Sequence, residues 1–183
     1  QCTPGNPALV MPFVFLLVLP CASAKSAQPT EYEIKVGLIH NIAKFVEWPA
    51  APAAGNKLRL CILGQSPITK AAGLLSGKQI DGMVWEVRFV NERENLQDCR
   101  VLFIASSAPD TTRSVLEGIE GHSILTVSDS DGFAEQGVMV NFYFEDNSTR
   151  FEINPEAAKR AKLTISSQLL NLARIVHDAG RLH

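Results

Sequence analysis

Four histidines, His40, His122, His177 and His183, are where acid–base or metal chemistry would have to start. No two of them are four residues apart and none lies in an HExxH pattern, so a helix-borne zinc site of that kind is excluded. His40 falls within a helical stripe, where a packing or surface role is expected. No serine sits in GxSxG, so a nucleophile elbow is absent. Neither GxGxxG nor GxxxxGK[ST] occurs, so no nucleotide-binding motif is supported. Asp129 and Asp131 invite calcium, but no Glu follows at the twelfth loop position, which excludes an EF-hand. Asn147-Ser148-Thr149 matches a glycosylation sequon, relevant only in a eukaryotic secretory pathway. These patterns assign no catalytic residue, no metal ligand and no cofactor.

Three polar loops remain as candidates: Gly64-Gln65-Ser66, Ser106-Ser107 and Ser128-Asp129-Ser130-Asp131-Gly132. Each follows an apolar run that reads as a strand. Open α/β sheets bind ligands at the carboxyl ends of their strands. The first two loops also feed helix starts, which attract anions. Gln65, Ser66, Ser106 and Ser107 are therefore candidate contacts for a small anionic ligand, with plain capping and turn chemistry as the other account.

The four cysteines divide by position. Residues 1–24 carry no charged side chain, and Ala8 to Leu19 is almost wholly apolar. That run is too short to span a membrane, which takes about 20 residues. It fits the apolar region of a secretory signal peptide, with Ala22-Ser23-Ala24 as the cleavage signal. A basic start is missing and the chain begins at Gln1, so the true N-terminus is expected upstream. A lipoprotein lipidated at Cys21 and a short membrane anchor are the alternatives. Cleavage after Ala24 removes Cys2 and Cys21 and leaves Cys61 and Cys99. In an exported domain two cysteines read as one disulfide, with a pair of buried thiols as the alternative.

Elements must hold these residues in place. The chain has 183 residues, 46% hydrophobic and 20% charged, with a net charge of -2. That composition excludes a mainly disordered chain and a nucleic-acid binder working by bulk positive charge. Residues 25–183 suit a single domain. Thr30 opens a helix whose stripe is Ile34, Leu38, Ile42 and Phe45, ending at Trp48-Pro49, and a linker runs to Gly55. Leu58–Leu63 reads as a strand with Leu58, Leu60 and Ile62 on one side. Ser66 to Leu75 reads as a helix, Met83 to Val90 as a half-exposed strand and Val101 to Ala105 as a buried parallel strand. A helix from Ser107 to about Gly118 and a strand from Ser123 to Val127 follow. Val138 to Phe144, the turn Glu145-Asp146-Asn147-Ser148 and Arg150 to Ile153 form a hairpin. Pro155 to Lys162 is a short helix. Ser166 starts a last one, with Leu169, Leu170, Ala173 and Val176 buried. The alternation predicts an α/β fold: a three-layer domain with a mixed, mostly parallel sheet flanked by helices, plus a C-terminal hairpin and helix.

Four segments carry a family resemblance. They are EIKVGLIHNIAKFVEWP from Glu33, DGFAEQGVMVNF from Asp131, RFEIN from Arg150 and LTISSQLLNLA from Leu163. In this order they resemble the YfiR family of periplasmic regulators. The resemblance implies an exported, non-enzymatic α/β domain acting as a homodimer. It implies a partner too: the periplasmic sensor domain of an inner-membrane diguanylate cyclase, which the regulator represses, or another membrane sensor. An outer-membrane lipoprotein that sequesters the regulator is a further implied partner, and no nucleic acid is. Cys61 and Cys99 match the family's longer-range bridge, while a second, short-range bridge of some relatives has no cysteines here. Bulk on both faces of the hairpin, with the family's regulatory surface, marks Val140, Phe144, Phe151 and Glu152 as the expected partner contact. A periplasmic small-ligand-binding module is the alternative function.

Overall fold

The computed structural model describes residues 28–49, 55–107 and 109–179. The expected signal peptide, residues 1–24, and most of the linker before Gly55 lie outside them. In chain order the elements are α1 (Glu31–Ala43), β1 (Val46–Glu47), β2 (Lys57–Leu63), α2 (Ile68–Ala72), β3 (Gln79–Ile80) and β4 (Met83–Val90). There follow β5 (Val101–Ile104), α3 (Pro109–Gly118), β6 (Leu125–Ser128), β7 (Val140–Glu145) and β8 (Ser148–Ile153). The chain continues through α4 (Pro155–Arg160), β9 (Thr164–Ile165), α5 (Ser167–Leu170) and β10 (Arg174–Ile175).

Eight strands form one sheet in the order β10-β8-β7-β6-β5-β2-β4-β3. The central pairs β4–β2–β5–β6–β7 are parallel, and the pairs β7–β8 and β3–β4 are antiparallel. The sheet is therefore mixed and mostly parallel. Side-chain alternation along buried strands separates two cores. Leu58, Leu60, Ile62, Val101, Phe103, Leu125 and Val127 join the cluster that holds α1, α2 and α4. Cys61, Leu63, Leu102 and Ile104 join the other, with Val115 and Ile119 of the α3 region. Helices thus cover both faces, as near-continuous apolar strands require.

Local chemistry explains most boundaries. Thr30 caps α1: its Oγ1 accepts the Glu33 N–H at 3.3 Å, and Glu33 Oε2 accepts the Thr30 N–H at 2.6 Å. Asp146 and Asn147, both at positive φ, make the two-residue turn of the β7–β8 hairpin. Asn154 caps α4, whose first residue is Pro155.

Four expectations need correction. The buried face of α1 is Lys35, Val36, Ile39, Ile42 and Ala43, whereas Ile34 is exposed. Val36, Ile39, Ile42 and Ala43 form an apolar stripe of their own at helical spacing, and Lys35 beside them is paired with Asp129. α1 also stops at Ala43, and Val46-Glu47 pairs instead with β9. The expected helix from Ser66 is shorter, beginning at Ile68 and tightening into a 3₁₀ turn over Gly73–Leu75. The last helix ends at Leu170; Arg174-Ile175 then forms a strand parallel to β8, so of the expected stripe only Leu169 is fully buried. β4 is half-exposed as expected, with Trp85 buried and Phe89 exposed.

Candidate functional site

The three polar loops do gather at one end of the sheet, because β2, β5 and β6 are parallel neighbours. The Gln65 N–H donates to Ser107 Oγ at 2.7 Å. Ser66 Oγ accepts the Ile68 N–H at 3.3 Å, which spends it on the start of α2. Ser106 is exposed. Beside Gln65 lies an open depression lined by Leu63, Asn91, Arg93 and Thr111, among others. Ser66, Ser106 and Ser107 stand outside that lining. One hydrogen bond thus joins the first loop to the second.

The hairpin residues separate by face. β7 and β8 are in register at Phe142↔Phe151 and Asn141↔Glu152. Alternation puts Val140, Phe142, Phe144, Phe151 and Ile153 on the α1 side, and Asn141, Tyr143 and Glu152 on the other. Val140 and Glu152 are buried, Phe151 is half-buried against the core, and Phe144 is 63% exposed. Ile175 is in register with Ile153 and also exposed. The accessible part of the expected contact is therefore Phe144 with the edge of Phe151. Glu152 points to the opposite face, since neighbouring residues of a strand alternate.

Glu152 has an internal role. Its Oε1 accepts from Asn141 Nδ2 at 3.0 Å, and its Oε2 accepts from Arg174 Nε at 3.1 Å. Arg174 in turn lies over the Tyr143 ring, 4.0 Å from its centroid. The hydrogen bond to Glu152 raises the Arg174 pKa further. Asn141 Oδ1 accepts the Ser130 N–H at 3.2 Å, joining this chain of contacts to the loop after β6. In that loop Asp129 Oδ2 takes the Lys35 ammonium of α1 at 2.8 Å, both side chains being 8% exposed. Burial works to lower the Lys35 pKa, but the hydrogen bonds to Asp129 and Glu31 outweigh it and the pKa stands above its ordinary value. A polar path thus runs from α1 through β7 and β8 to the edge strand β10. Its sequence signal was Asn141, the single polar residue in the run Val138 to Phe144.

His40 is an acceptor: Trp85 Nε1–H donates to its Nδ1 at 2.9 Å. Burial first, then Lys44 and Lys78, lowers its pKa, so the neutral ring is favoured. Cys61 and Cys99 are joined by a disulfide with a Cα–Cα distance of 5.8 Å. It ties β2 to the connection before β5 within the second core. No cluster of three or more metal-ligating side chains occurs among the described residues, and no described helix is long and apolar enough to cross a membrane.

Fold and site together define a disulfide-tied α/β domain with helices over both faces of its sheet and Phe144 exposed on the hairpin. The chain belongs to the YfiR/HmsC-like family, whose model matches residues 32–174. That family is one of periplasmic regulators of diguanylate cyclase signalling, without catalysis of its own. A crystal structure of a conserved domain protein from Vibrio cholerae O1 biovar El Tor strain N16961 is similar in fold, with a TM-score of 0.54 at 10% identity. The likeness covers 81% of this chain and 61% of that one, so this chain spans less than two thirds of that protein.

Proposed function

We propose that this protein binds the periplasmic sensor domain of an inner-membrane diguanylate cyclase and represses it, lowering cyclic-di-GMP. Family membership over residues 32–174 is the observation that carries this reading. The protein works by population shift: it binds the inactive state of the sensor more tightly and so holds the cyclase off. The nucleotide is cytoplasmic and never meets it. The leader, residues 1–24, is cleaved, and residues 25–183 form one exported domain that acts as a homodimer. An outer-membrane lipoprotein that sequesters the regulator relieves the repression.

Phe144 and the accessible edge of Phe151 form the contact, with Val140 buried further along the same face and Glu152 fixing β10 through Arg174. The exposure of Phe144 on the hairpin supports this assignment. Deleting the protein from its source cells raises cyclic-di-GMP. Restoring the native protein lowers it again, and restoring Phe144→Ser at equal abundance does not. Unchanged cyclic-di-GMP on deletion would contradict the reading.

A further inference from the structure

The last described residues form a strap without a buried member. Leu169 of α5 is buried and Ala173 still packs against the first core. Residues 174–179 then run along the outer edge of β8, and every one of them is exposed or half-buried. Beyond the short pairing of β10 with β8, the Val176 N–H donates to Ile153 O at 2.9 Å and the Ala179 N–H to Glu135 O at 2.8 Å.

Charged side chains supply the other ties. Arg174 is bound to Glu152, Asp178 is bound to Arg160, and His177 Nδ1 lies 2.9 Å from Glu156 Oε1. Asp178 Oδ1 also accepts from Asn154 Nδ2 at 2.7 Å. The side chains of Arg174, Arg160 and His177 all reach solvent, so dissolved salt screens these contacts. Two buried polar side chains beneath the strap, Glu152 and Asn154, have other partners within the domain. Glu152 Oε1 accepts from Asn141 Nδ2, and Asn154 holds Ala134 O and the Ala157 N–H. Lifting the strap lets water reach Glu152, so hydration replaces Arg174 and no charge is left buried and unmet.

We propose that residues 174–179 form a latch that opens as one unit while the rest of the domain stays folded, and that salt favours the open form. Segments with little buried apolar surface open at far smaller free energies than a core does. Closed, the latch covers the edge of β8 at Glu152 and Ile153. Open, it bares that edge, and an unpaired strand edge is a template for another strand. Opening also takes Asp178 and Ala179 out of the wall of a cavity of about 510 Å³ between α3 and α4. The latch is independent of the proposed partner contact, and so is its test.

Amide hydrogen exchange of residues 25–183, followed by NMR at about 20 mM and about 500 mM sodium chloride, tests it. The Val176 and Ala179 amides report the latch. The Ala105 and Leu125 amides, which donate to Leu63 O and Arg100 O, report the central strands. Val176 and Ala179 are expected to share one protection factor, at least about a hundredfold below that of the central amides. High salt is expected to lower it roughly threefold or more and to spare Ala105 and Leu125. Arg160→Gln, which releases Asp178, is expected to speed Val176 and Ala179 alike. Should that variant fail to fold, the native chain at the two salt concentrations decides. Protection of Val176 equal to that of the central amides, unequal protection of Val176 and Ala179, or indifference of both to salt would overturn the latch.

Discussion

Asp129 and Lys35 show how much one buried pair governs. Removing Asp129 alone leaves an ammonium that is 8% exposed with the half-exposed Glu31 and the Tyr32 ring as partners. Breaking such a pair from one side costs about 3 kcal/mol. Asp129→Ala should lower unfolding stability by that order in urea titrations, and the double change Lys35→Met, Asp129→Leu should recover most of it. A neutral Asp129→Ala would mean that the pair carries no weight. His40 gives a pH signature. Its folded pKa lies below the ordinary 6.5, so the unfolded state takes up the proton more readily. Its contribution is complete above that value and is lost as pH falls through it. The melting temperature should therefore drop between pH 7.5 and 5.5, by less in His40→Gln, which keeps an acceptor for the Trp85 indole. Equal drops in both proteins would remove His40 from the explanation.

Among elements, the disulfide is the strongest tether. Cys61 and Cys99 are 38 residues apart in sequence. Closing a loop of that size in the unfolded chain is worth about 4 kcal/mol on the chain-entropy account. Cys61→Ser with Cys99→Ser, or reduction of the native protein, should lower the melting temperature clearly; no change would mean that the unfolded chain is not restrained by the bridge. The hairpin turn is a finer test. Asn147 sits at φ 58°, where glycine is more at ease than any other residue. Asn147→Gly should be neutral to slightly stabilising, and Asn147→Val should cost about 1 kcal/mol or more by the same measurement. The central strands were legible because parallel, doubly covered strands read as apolar runs, as Val101–Ile104 does. The two ends of the chain were not. α1 offers two overlapping apolar stripes, and the structure buries Val36, Ile39, Ile42 and Ala43 rather than the one that includes Ile34. The segment after Leu170 leaves its helix and pairs with β8, where Arg174 meets Glu152, a contact across 22 residues that no local pattern reveals.

At the scale of the whole molecule, the same distinction separates fold from site. Alternation of strand and helix was enough to expect a three-layer α/β domain with a mostly parallel sheet. Of the four residues expected at the partner contact, the structure leaves few accessible: a strand's period of two sends Glu152 away from Phe151, and the core takes Val140. What remains outside is Phe144, with the half-buried Phe151 diagonal to it and Ile175 exposed at the edge strand. Its use as a docking face is the centre of the account. The most direct test is a pull-down with residues 25–183 from detergent-solubilised membranes of the source cells, in native and Phe144→Ser forms matched for melting temperature. The account predicts that the native chain recovers a membrane protein with a periplasmic sensor domain and a cytoplasmic diguanylate cyclase domain, and that Phe144→Ser does not. Equal recovery by both forms would contradict the surface, and recovery of no such protein by the native chain would contradict the regulator itself.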